Sequence, residues 1–207
     1  MNTTVVFFDT ETNGLNAECS VLSISAIKAA IDNKSAGSAI HNPAVERYER
    51  FYFRAPGEPF GAGAVRVNGL TDAVIAEKRG DAAYPRHFRE DTEAFRAFCG
   101  IARHFVAHNI AFDRQYIPFS LPNTFCTMTE NKKVLKLRRK TGEIKFPSLK
   151  ETALFYGIAP DSAKLHTSAY DTDLVYAIFI KMLESPKTRK KARKFLENLP
   201  QQADLSF

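Results

Sequence analysis

Asp9 and Glu11 close an apolar run, Val5-Val6-Phe7-Phe8, at a spacing of two. In an extended strand that spacing projects both carboxylates from one face. Two like charges so close repel, and a hard divalent cation such as Mg²⁺ or Mn²⁺ between them removes that cost. A third acid, Asp113, follows Val106-Ala107-His108-Asn109-Ile110-Ala111-Phe112, where a strand meets the start of a helix. His166 and Asp171 lie five apart across the start of the last long helical segment. Each piece alone has an ordinary explanation: a solvated turn, an acid favourable to a helix dipole, surface decoration. Together they are three acidic segments, each at an element terminus, separated by about a hundred and then about fifty residues. That set implies a divalent-metal centre.

The elements that must carry these groups are legible. Val5–Phe8, Val21–Ile31 and Tyr48–Phe53 are β-branched or aromatic runs and predict strands. Pro56, Gly57, Pro59, Gly61 and Gly63 punctuate a loop, and Thr71 and Asp72 open a short helix. Asp91 and Thr92 are placed to cap another, which Gly100 stops. Arg103–Ala107 predicts a strand, Asn109 a helix cap, and Thr124–Thr127 one more strand. Ser148-Leu149-Lys150-Glu151 has capping-box spacing, Gly157 ends that helix, and Thr167 or Ser168 begins a long helix to about Leu183. Strands first and helices later predict an α/β fold with a mixed sheet. A chain of 207 residues with 17 Phe and 7 Tyr supports one well-packed core.

The order Asp-x-Glu, Asp, His-x4-Asp resembles the DEDDh 3′-5′ exonucleases, the superfamily of the polymerase III epsilon subunit, ribonuclease T and exonuclease X. The likeness runs from about residue 4 to 183 and includes the neighbours of the acids. Asp9-Thr10-Glu11-Thr12-Asn13-Gly14-Leu15 is similar to the family's first motif. Val106 to Asp113 is similar to its second, and His166-Thr167-Ser168-Ala169-Tyr170-Asp171 to its third. Val67-Asn68-Gly69-Leu70-Thr71-Asp72 resembles the turn between the first two, with Asn68 where many relatives have His. Phe125-Cys126-Thr127-Met128 also resembles exonuclease X.

The resemblance implies a ribonuclease H-like mixed sheet flanked by helices. It also implies hydrolysis of DNA from the 3′ end to nucleoside 5′-monophosphates, in replication proofreading or repair, with two Mg²⁺ ions that Mn²⁺ can replace. Catalytic roles then fall to Asp9, Glu11, Asp113, His166 and Asp171. Asp9 would bridge both ions, Glu11 and Asp171 would hold the nucleophile-side ion, and Asp113 the other. His166 would be the general base, since neutral imidazole is available near working pH. Substrate contacts would come from Thr10, Gly14, Leu15, Asn68, Asn109 and Phe112, with Leu15 as an apolar wedge. Read from the residues alone, Leu15 and Phe112 equally fit a core, and Asn109 a simple cap. Two other readings stay open: an RNA-trimming exonuclease, and a catalytically silent nucleic-acid or clamp-binding module.

The formal charge is +6 and the pI about 9.2, which suits a polyanionic partner such as single-stranded DNA or a DNA 3′ end. Basic residues concentrate from Lys132 to Lys140 and from Lys187 to Lys194. The first run, with Phe146 near it, fits phosphate contacts or a solvated helix face. Composition turns polar near Ser185-Pro186, dividing residues 1–185 from a basic tail, 186–207. Gln202, Leu205 and Phe207 in that tail resemble the Gln-x-x-Leu-x-Phe peptides that dock on bacterial sliding clamps. Cys19, Cys99 and Cys126 match no metal-ligand spacing and read as reduced thiols. No apolar run approaches membrane-spanning length, so no membrane partner and a cytoplasmic location are expected.

Overall fold

The computed structural model describes residues 2–32 and 45–198. Five strands form one sheet: β1 (Asn2–Thr12), β2 (Val21–Asp32), β3 (Val45–Phe51), β4 (His104–Ala107) and β5 (Asn123–Cys126). Their order is β3-β2-β1-β4-β5, antiparallel on the β2–β3 side and parallel from β1 through β4 to β5. The predicted mixed sheet is therefore present, with every expected strand.

Both faces of the sheet are covered, and the parity of β1 assigns its side chains. Val5 and Phe7 pack on one side against α7 (Ser168–Glu184) and α8 (Arg189–Glu197). Val6 and Phe8 pack on the other against Phe95 of α3 (Thr92–Cys99). All four are fully buried, each contributing about 1.5–3 kcal/mol of transfer free energy. Phe7 meets Tyr176 and Phe179 edge-on, with centroids 5.1 and 5.4 Å apart. The inward stripe of α7 runs Ser168, Asp171, Thr172, Val175, Ile178, Phe179 and Met182, at helical spacing. One acid thus lies on the buried face in its first turn.

The capping box at Ser148 is formed and opens α6 (Leu149–Phe155), and Thr71 caps α2 (Asp72–Arg79). Other predicted caps differ. Asp91 precedes α3, but its carboxylate turns to Arg50 and to the Tyr52 hydroxyl (2.8 Å) instead of the helix. A charged partner and a buried phenol outbid the backbone amides for it. Thr167 and Ser168 begin α7 without side-chain capping, their hydroxyls being bonded elsewhere.

Where a loop was expected, α1 (Ala62–Asn68) forms, with no side-chain cap and no buried residue. Amphipathic periodicity has nothing to register there. The helix after Asn109 is a single turn, α4 (Ile110–Asp113), continued by a 3₁₀ turn, Arg114–Tyr116. α5 (Thr127–Leu135) carries only Lys132 and Lys133 of the first basic run. The second basic run forms most of α8, whose Ala192, Phe195 and Leu196 pack into the core. Gln202, Leu205 and Phe207 lie outside the described residues. Among those residues no helix is long and apolar enough to cross a membrane, and the three cysteines are free thiols.

Candidate metal centre and nucleotide pocket

The acids meet at one end of the sheet. Asp9 and Glu11 share the parity of Val5 and Phe7, so both face α7. Because β1 and β4 are parallel, the turn after β4 brings Asp113 to the same end. Asn109 makes that turn in a left-handed backbone (φ 72°) and gives no side-chain cap, a conformation Asn tolerates better than most residues. Its predicted role as a simple side-chain cap is therefore not what holds it.

Thr10, on the opposite parity, reaches Asp113. Its amide and hydroxyl both donate to Asp113 Oδ1, at 3.0 and 2.8 Å. Asp171 enters from α7, and its Oδ2 accepts the His166 backbone N–H at 3.1 Å. His166 has φ 66°, a left-handed turn that leaves its ring exposed beside the acids. One ligand atom each of Glu11, His166 and Asp171 lie within 4.8 Å of one another.

Burial raises all four carboxyl groups. Asp9 is held well above the carboxylate range by burial, then by Asp113, Glu11 and Asp171. Glu11 is raised to about 8 by burial and Asp171, with the Asn68 amide acting the other way. Burial lifts Asp113 to about 7 against the two Thr10 bonds, and Asp171 to about 6 against the His166 amide. Among the described residues, no Lys or Arg forms an ion pair with any of the four. Asp171 Oδ1 is buried with no hydrogen-bond partner. An orphaned carboxylate oxygen among uncompensated hard donors fits a divalent cation.

A buried hydroxyl group of contacts fixes α7 behind the acids. Ser168 Oγ lies 2.9 Å from Ser23 and 2.8 Å from Ser25, and the Thr172 hydroxyl donates to the Ser25 carbonyl at 3.1 Å. Ser23 and Ser25 are the register partners of Glu11 and Asp9. This cluster went unforeseen, because serine in a strand carries no periodic signal and only the paired register brings it to the helix.

Beside the acids lies a cavity of about 580 Å³, lined by Thr10, Gly14, Leu15, Asn68, Phe112 and the α1 residues Ala64 and Val67. Five of the six expected substrate residues line it, and Asn109 does not. Leu15 is 82% exposed, so it is no core residue. Phe112 lines the cavity while packing edge-on against Tyr116 (5.4 Å). Asn68 donates to the Thr12 carbonyl (3.2 Å) and accepts the Leu70 amide (3.0 Å), which holds the α1 turn against β1.

Asn13 and Gly61 were also missed. The Asn13 amide donates to Glu58 and Pro59, while its oxygen accepts the Gly61 N–H at 2.8 Å. A Cβ on Gly61 would sit 1.9 Å from the Asn13 carbonyl oxygen, so only glycine allows this approach. The glycine-rich loop was the available signal. A neighbouring hydrogen-bonded residue is His108, bonded through Nδ1 to the Thr127 hydroxyl (2.9 Å) and through Nε2 to the Pro147 carbonyl (3.1 Å). Burial lowers it to about 4, so it is a neutral strut.

No family model matches the chain, and no curated protein matches it in sequence. Solved structures do share its fold. Exonuclease X in complex with 5′-overhanging duplex DNA is 20% identical with a TM-score of 0.62, aligned over 93% of this chain and 99% of that one. E. coli exonuclease I in complex with a dA16 oligonucleotide is 14% identical with a TM-score of 0.67, over 93% of this chain and 42% of that one. The cell-death related nuclease CRN-4 is 12% identical with a TM-score of 0.58, over 87% and 63%. The chain therefore spans nearly all of exonuclease X but less than half of exonuclease I. The ribonuclease H-like α/β fold expected from the sequence motifs is the one these exonuclease structures share.

Proposed function

We propose that this protein is a metal-dependent 3′-5′ exonuclease of the DEDDh type that removes nucleotides from DNA ends. The observation that carries the reading is the juxtaposition of four uncompensated carboxylates, one with an orphaned buried oxygen, and a nucleotide-sized apolar pocket on the same strand end. The structural neighbours in complex with DNA, exonuclease X and exonuclease I, point the same way.

Asp9, Glu11, Asp113 and Asp171 would hold two Mg²⁺ or Mn²⁺ ions. Such ions, when bound, neutralise phosphate charge, acidify water and stabilise the leaving oxyanion. The chain's own residues do the placing. Thr10 orients Asp113, the Ser168 cluster seats the first turn of α7 that carries Asp171, and the His166 amide fixes Asp171 Oδ2. His166 accepts the proton of the attacking water, its exposed ring standing beside Glu11 and Asp171. Leu15 and Phe112 enclose the terminal base and sugar, and bonds from Thr12 and Asn13 brace the Gly14 turn and α1 around them.

Timed digestion of 3′- and 5′-labelled DNA and RNA oligonucleotides with Mg²⁺ tests this, with Asp9→Ala as control. The expected result is release of nucleoside 5′-monophosphates from the 3′ end of DNA, dependent on metal and lost in Asp9→Ala. Preferential digestion of RNA would move the substrate class to RNA, and no release from either would overturn the nuclease reading.

A further inference from the structure

The basic run Lys132–Lys140 is divided between two elements. Lys136 ends α5 in a left-handed backbone (φ 52°). The chain then turns into a short hairpin: the Lys145 amide donates to the Leu137 carbonyl (2.9 Å), Arg139 to Glu143 (2.8 Å) and Gly142 to Arg139 (2.9 Å), with Arg138 bridged to Ile144. Every residue from 138 to 144 is exposed, so no apolar burial holds this hairpin in place. Among the described residues, Arg138, Arg139 and Lys140 have no acidic partner. Three adjacent unpaired cations repel, and a polyanion relieves that repulsion.

The foot of the hairpin is tied to the candidate centre from two directions. Phe146 is 44% exposed with the Lys132 ammonium 4.0 Å from its ring centroid. Pro147, the next residue, holds the His108 strut in the turn between β4 and α4, the helix that bears Asp113. Lys150, in the first turn of α6, donates to Ser162 in the loop that leads to His166 (2.9 Å). The hairpin is thus rooted beside two of the three segments that supply the candidate groups, those of Asp113 and His166.

We propose that the hairpin and Phe146 form a single-strand path, holding the nucleotides 5′ of the terminal one. Arg139 and Lys140 contact backbone phosphates, and Phe146 offers a partly open ring to an unstacked base. Paired bases in a duplex present no free face to such a ring, which is why a single strand fits better. The inference deepens the exonuclease reading in placing the strand terminus, but the binding itself does not require turnover.

The test is fluorescence anisotropy in EDTA, where no metal-dependent hydrolysis occurs, with a labelled single-stranded 20-mer over a salt series. Arg139→Ala/Lys140→Ala is compared with Lys190→Ala/Lys194→Ala, which removes the same charge from exposed positions on α8. Arg138 is kept because it bonds Gly142 within the hairpin. The hairpin variant is expected to bind roughly tenfold more weakly, with a salt slope reduced by about 1.4, or ~0.7 per lost phosphate contact. The α8 control is expected to match wild type, and Phe146→Ala to weaken binding with an unchanged salt slope. A trinucleotide competitor should bind both doubles alike.

Equal losses in the two doubles, or a loss for the trinucleotide as large as for the 20-mer, would overturn the path. So would tighter binding of a blunt duplex than of the single strand. A matched RNA 20-mer distinguishes a path for DNA alone from one that reads phosphates and base faces in either polymer. Failure of the exonuclease reading would show separately, as absence of nucleotide release with Mg²⁺ while the hairpin-dependent binding persisted.

Discussion

Replacing Asp171 by Asn should stabilise the metal-free protein while removing its response to metal. Asp171 is 6% exposed, one of its oxygens has no partner, and burial raises its pKa from an ordinary 3.8 to about 6. Holding it ionised above pH 6 therefore costs about 3 kcal/mol, at ~1.4 kcal/mol per unit of pKa. The sign follows from the direction: a raised folded-state value means the folded chain keeps a proton that the unfolded chain has lost. Stability from this group is complete below pH 3.8 and is lost as pH rises through about 6. Asparagine escapes that loss. Its oxygen can still accept the His166 amide, and its NH₂ faces carboxylates that lack any cationic partner.

In a chain of this size, ~3 kcal/mol corresponds to a Tm gain of up to roughly 10 °C at pH 8, with about half of the free energy remaining at pH 5. Thermal denaturation in EDTA at both pH values measures it. Titration with Mn²⁺ should then raise the Tm of wild type and leave Asp171→Asn nearly unmoved, so the ranking inverts. A lower Tm for Asp171→Asn in EDTA at pH 8 would refute the electrostatic argument, and an equal Mn²⁺ response in both proteins would refute the assignment of Asp171 as a ligand.

His166→Ala should lower kcat by two to four orders of magnitude, the usual size of a general-base contribution, while oligonucleotide binding measured by anisotropy stays near wild type. Ser168→Ala should weaken Mn²⁺ binding, read by calorimetry, through a mis-set Asp171, and Ser168→Thr should restore part of it if the hydroxyl is what positions the helix. Leu15→Ala should leave the Tm within about half a degree to two degrees of wild type because the side chain is exposed, yet raise KM several-fold in digestion of short oligonucleotides.

Spacing alone made much of this protein readable. Two carboxylates two apart on a strand must share a face, and the capping box at Ser148 and the apolar stripe of α7 fix their helices through local bonds and helical period. The fold class followed from the same periodicities, which report burial wherever an element has one wet and one dry side. Elements without such asymmetry were illegible. α1 buries nothing, and the hairpin is exposed from Arg138 to Ile144, so neither leaves an apolar pattern.

The candidate groups of the centre, and the element each stands on, could be named from the sequence alone, because motif spacing and element periodicity are local features of the chain. Only the tertiary structure decided their chemistry. Parallel pairing of β1 with β4 brings Asp113 to Thr10, register pairing sets Ser23 and Ser25 against Ser168, and Gly61 closes on Asn13 across 48 residues. Burial, and with it every raised carboxyl pKa, is a property of those long-range approaches, and none of them leaves a period in the chain.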